Sequence, residues 1–107
     1  MAYLYKFYYD VTEQLDGSRV TADMIHSMRT ELRMYLKTKG IQKFTIIHEC
    51  YGYFLDNGKW VEVSTEILEI GSENLLEIST TNNIKDIICR TLNQKEVYAI
   101  HLEGGLI

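Results

Sequence analysis

The chain has 107 residues, 46% hydrophobic and 24% charged, with eight tyrosines and a formal net charge of −4. That length fits one domain spanning 1–107 with a core that needs no staple of metal or disulfide. The negative balance excludes broad, non-specific binding to nucleic acid, which needs phosphate-neutralising Lys and Arg, so no nucleic-acid partner is expected.

Residues 3–10 are aromatic-rich and predict a first strand with Tyr3, Tyr5, Phe7 and Tyr9 on one face. The first nine residues lack the cationic start and apolar run of a signal peptide. No stretch is long and apolar enough for a membrane span. Cys50 and Cys89 form neither a CxxC pair nor a zinc spacing and read as reduced, buried thiols, so the expected location is the cytoplasm.

A loop over 12–19 leads to Thr21, a helix N-cap with Asp23 in the favourable first turn. Met24, Ile25, Met28, Leu32, Tyr35 and Leu36 recur at helical spacing, and Gly40 suits the position past the helix end. Residues 44–70 then read as two strands joined by Asp56-Asn57-Gly58-Lys59, because Asn-Gly readily takes the two positive φ angles of a type I′ hairpin turn. Residues 71–74 break the second strand, and residues 75–78 suggest a short extended piece. Thr80 or Thr81 caps a second helix carrying Ile84, Ile87, Ile88 and Leu92, residues 97–102 form a last strand, and Gly104-Gly105 loosens the tail. The order βαββαβ predicts an α+β, ferredoxin-like domain: a four-stranded antiparallel sheet with two helices on one face. Its other face then needs a cover, so a homo-oligomer through the free sheet face is expected.

Counting back from the turn places Leu55 opposite Trp60, Phe54 opposite Val61 and Glu49 opposite Glu66. Phe44, Ile46, His48, Cys50, Phe54, Val61, Val63 and Ile67 then share the face expected to meet the helices. Ile47, Glu49, Tyr51, Tyr53, Leu55, Trp60, Glu62, Ser64, Glu66 and Leu68 share the other, an acidic and aromatic free face. A bulge near Thr65 or Glu66 would exchange the faces beyond it.

Three groups of residues bear on function. The like-charge pair Glu49 and Glu66 suits an acid-base site or, more plainly, solvated carboxylates. His26, Arg29, Arg33 and Lys37 form a one-turn-spaced row on the first helix, a pattern that holds phosphate or simply faces solvent. Tyr51, Tyr53 and Trp60 suit stacking of a planar ligand or burial in a subunit interface. The expected ligand-binding residues are therefore Arg29, Arg33, Tyr51, Tyr53 and Trp60, with no catalytic set, metal site or cofactor. His26, His48 and His101 fall in no metal-binding spacing, and GxSxG, P-loop and GxGxxG patterns are absent.

The segments 44–47, 51–54 and 58–64, in this order of elements, resemble small bacterial and phage domains of the βαβ type, and the layout is similar to PII-like signalling proteins. The second resemblance implies a trimer holding nucleotides in clefts between subunits, with a long loop between the hairpin strands. Here a tight Asn-Gly turn replaces that loop, and no functional residue is carried over.

The leading expectation is a non-enzymatic oligomer that senses or sequesters a small anionic ligand such as a nucleotide, in the manner of a phage anti-defence sponge. A second is a protein-interaction module that inhibits a host enzyme through its acidic aromatic face. A third is a small dimeric enzyme using Glu49, Glu66 or His48 as acid or base.

Overall fold

The computed structural model describes residues 2–104; Gly105, half of the expected loose tail, lies outside them. Strand β1 (Ala2–Asp10) is followed by α1 (Ala22–Thr38), β2 (Thr45–Asp56), β3 (Lys59–Ser72), α2 (Ile78–Thr91) and β4 (Tyr98–Gly104). All pairings are antiparallel, in the order β2-β3-β1-β4. This is the ferredoxin-like arrangement, in which each helix crosses over a neighbouring strand.

Helix α1 starts where Thr21 accepts a hydrogen bond from the Met24 amide at 3.2 Å, satisfying one orphan donor of the first turn. Its buried side chains are Met28, Leu32 and Leu36. From the sheet, Tyr5, Phe7, Tyr9, Leu68 and Ile70 meet them, and Ile84, Ile87, Ile88 and Leu92 enter from α2. Each such side chain removed from water contributes about 1.5–3 kcal/mol.

Helix α2 begins earlier than its threonines suggest. Glu77 is the N-cap residue, without a side-chain cap bond, and Thr80 is buried inside the helix. Residues 75–77 form no strand; the Leu76 amide instead donates to the Tyr5 hydroxyl at 2.8 Å, which ties the chain to the sheet before the helix starts. Strand β3 runs on through Gly71 and Ser72, because β1 supplies Leu4 and Tyr3 as partners there.

The hairpin turn is as the sequence predicts, with φ of 50° at Asn57 and 78° at Gly58. Its register holds from Asp56–Lys59 to Cys50–Thr65, then shifts by one so that Ile47 pairs with Ile67 and Ile46 with Leu68. His48 and Glu49 together oppose Glu66, a β-bulge in which Glu49 takes a φ of 61°. The bulge thus falls across from Glu66, where the sequence allowed for one; the extra residue lies on β2, and it inverts that strand's alternation beyond it.

The expected faces are corrected accordingly. Glu66 and Leu68 are buried under the helices. Tyr51, Tyr53, Leu55, Trp60, Glu62 and Ser64 lie on that same side, because Tyr51 pairs with Ser64, Tyr53 with Glu62 and Leu55 with Trp60. They sit past the reach of the helices and remain exposed. The open face instead carries Cys50, Gly52, Phe54, Val61, Val63, Thr65 and Ile67, beside Lys6, Tyr8, Tyr98, Ile100 and Leu102. Glu49 does not stand directly opposite Glu66.

Candidate functional site

The open face forms a cavity of about 690 Å³ where β1 and β4 meet the outer hairpin. Tyr8 and Tyr98 are register partners, and their rings meet edge-on with centroids 6.3 Å apart. Phe54, Val63 and Ile100 add apolar walls, and Thr65 places a hydroxyl among them. Gly52 opens the floor: a Cβ there would lie 2.8 Å from the Thr65 Oγ1 and 3.4 Å from the Val63 side chain. Residues 94–96 close one side, and Asp10, Lys95 and Glu96 give the rim charges of both signs. The volume matches the 300–1,000 Å³ typical of small-ligand sites. Aromatic walls with a mixed, not cationic, rim suit a flat heterocycle better than a polyphosphate.

On the other face, at the inner end of the exposed hairpin, Glu66 is buried with its side chain only 6% exposed. The Tyr9 hydroxyl donates to its Oε1 at 3.1 Å, and Arg29 Nη2 donates to its Oε2 at 2.6 Å. Burial, with the Glu66 carboxylate alongside, pushes the Tyr9 phenol far above its ordinary pKa. Arg29 Nε is also buried and finds no acceptor among the described residues. Tyr9 and Arg29 Nη2 each take a different carboxylate oxygen, so the guanidinium meets Glu66 through a single hydrogen bond.

The five expected ligand-binding residues are not brought together. Arg29 is committed to Glu66. Arg33 donates to the Thr30 hydroxyl at 3.3 Å and lines a separate groove with Lys37. Tyr51 and Trp60 project from the hairpin, 63% and 71% exposed. Tyr53 alone borders the 690 Å³ cavity; its hydroxyl donates to Glu62 at 3.0 Å, which raises its pKa. Sequence reasoning missed Tyr8, Gly52, Phe54, Thr65 and Tyr98. Alternation along β1 and β4 was a signal for Tyr8 and Tyr98, but no residue type announces the bulge that turns Gly52 and Phe54 to the open face. No group of three or more His, Cys, Asp or Glu side chains that could hold a metal occurs among the described residues, and no described helix is long and apolar enough to cross a membrane.

No family model and no curated protein matches the chain. Solved structures do. One described as a phage SAM lyase in complex with S-methyl-5'-thioadenosine is 12% identical, covers 95% of this chain and 81% of its own, and superposes with a TM-score of 0.68. A phage SAM lyase in the apo state is 11% identical, covering 94% and 78% with a TM-score of 0.59. CutA1 from Oryza sativa is 12% identical, covering 98% and 83% with a TM-score of 0.52. At these identities the likeness is one of fold.

Proposed function

We propose that this chain binds an adenosine-bearing sulfonium or thioether of the S-adenosylmethionine class in the open-face cavity, as a cytoplasmic homo-oligomer that withdraws the compound from use during phage infection. The observation that carries the reading is the aromatic-walled cavity of about 690 Å³ around Tyr8, Phe54 and Tyr98. It has room for a purine nucleoside and faces for the base to stack upon. A neighbour of similar fold that holds S-methyl-5'-thioadenosine supports the same ligand class.

This reading moves away from a phosphate-bearing ligand. Arg29 is neutralised by Glu66, Arg33 lies outside the cavity, and the rim sets Asp10 and Glu96 against Lys95. A nucleoside with a neutral or cationic tail suits that rim better than a polyphosphate does. The apolar open face, with Tyr98 and Leu102 exposed at 71% and 51%, is left accessible to the ligand.

Binding is tested by thermal unfolding with S-methyl-5'-thioadenosine, S-adenosylmethionine and ATP. A ligand held a hundredfold above its Kd stabilises by about 2.7 kcal/mol, a rise on the order of 10 °C for a domain this size. The first two compounds should give that rise, and Tyr98→Ala and Gly52→Val should remove it. Equal melting temperatures with and without every adenosine compound would refute the reading. A second reading, cleavage of the sulfonium, is favoured by the lyase named for two neighbours. Releasing S-methyl-5'-thioadenosine breaks the bond between sulfur and the amino-acid chain as the substrate's own carboxylate oxygen bonds to that carbon and closes a lactone, while both electrons of the broken bond stay on sulfur as a neutral thioether. Chromatography of S-adenosylmethionine incubated with the protein separates holding from cutting.

A further inference from the structure

The projecting half of the hairpin and the end of α1 are complementary surfaces at opposite ends of the molecule. Tyr51, Tyr53, Leu55 and Trp60 are each at least 60% exposed on one side of the hairpin, with Glu62 among them. No helix covers them, although a free-standing pair of strands gains little stability from its own contacts. At the other end of β2, Arg33, Lys37, Ile41 and Phe44 line a groove of about 510 Å³. Residues 33–44 hold four of the chain's eleven cations and no acid, within a protein of net charge −4. Three acids and one lysine lie over residues 49–64. Each surface thus combines an apolar centre with one sign of charge, and the signs are opposite.

The hairpin cannot fill the groove of its own chain. Strand β2 rises about 3.3 Å per residue, so its 12 residues separate the groove from the turn by most of the 42 Å long axis.

We infer that the hairpin of one copy inserts Trp60 into the Arg33–Lys37 groove of a second copy, with Glu62 against the two cations. The occupant is another molecule of this chain because both surfaces belong to it and their charges match. Such a contact is head-to-tail: each copy gives a hairpin and receives one, and the chain of contacts closes as a ring or continues as a fibre. Trp60 is the anchor, since a large exposed indole entering a partly apolar groove is the usual source of binding energy at such a contact. Steering between the opposite charges makes assembly salt-sensitive.

Two variants test the contact by native mass spectrometry and sedimentation. Trp60→Ser with Glu62→Arg removes the inserted surface, and Arg33→Glu with Lys37→Glu removes the receiving one. All four positions are exposed, and thermal unfolding of each variant verifies that it still folds. Each variant alone should be monomeric. Mixed in equal amounts they should form a one-to-one dimer, because one intact hairpin then meets one intact groove. Carrying Glu62→Arg, Arg33→Glu and Lys37→Glu in one chain, with Trp60 kept, should restore self-assembly by exchanging the charges. A monomeric wild type, an assembly that survives either double variant, or a mixture that stays monomeric would overturn the inference. The variants leave Tyr8, Tyr98 and Ile100 intact, so an assembly held by the open face alone would survive both.

Discussion

Arg29→Met removes the charge that Glu66 depends on while keeping most of the arginine stem that packs beside it. Breaking a buried ion pair by removing one partner costs about 3–5 kcal/mol, because an uncompensated charge stays behind. Glu66 fits that case with its side chain 6% exposed, but the Arg29 side chain is 35% exposed. Solvent screens that side of the pair, which brings the expected cost to about 2–4 kcal/mol. For a domain of this size, each kcal/mol moves Tm by roughly 4–8 °C. Urea unfolding of the single variant should therefore show a lower midpoint with an unchanged slope. The double variant Arg29→Met with Glu66→Leu should recover much of the loss, since no buried charge then remains. The coupling between the two sites should be about 2 kcal/mol, within the range for residues in one network. A single-variant cost below about 0.5 kcal/mol, or a coupling near zero, would refute the claim that this pair is structurally required.

Tyr9→Phe should cost only about 1 kcal/mol, because the freed Glu66 oxygen can turn to the unpartnered Arg29 Nε. The same variant should flatten the alkaline stability profile. The raised phenol keeps its proton in the folded state, whereas the unfolded one releases it near pH 10. Stability is then complete below pH 10 and falls as pH rises above it, as pH-dependent denaturation would report. Glu49→Val should destabilise by about 1–2 kcal/mol, because a β-branched residue strains at the φ of 61°, whereas Glu49→Gly should be neutral or mildly stabilising. Leu32→Ala, at the centre of α1, should cost about 2–5 kcal/mol in the same unfolding assay, since Leu32 is fully buried.

The element order was legible because it rests on short-range signals. Aromatic alternation over 3–9, the α1 apolar row, the Thr21 cap and Asn57-Gly58 act within a few residues, and each appears in the structure. The start of α2 was misplaced because Glu77 carries no side-chain cap bond and the Leu76 amide pairs with Tyr5, 71 residues away. The candidate site was the least legible part. Arg29 stood out as a cation in a row, yet its partner Glu66 is set by the packing of α1 on β3.

Local sequence by itself determined the hairpin turn, its register as far as Cys50, and the strand and helix order of an α+β ferredoxin-like domain. Only tertiary structure decided which face is open. A single extra residue at His48-Glu49 exchanges every side chain beyond it between faces, because alternation has a period of two. The penalty for Glu49's left-handed backbone is about 1–2 kcal/mol. Packing Phe44 and Ile46 of β2 against the core offsets it, and that comparison exists only once the chain has folded.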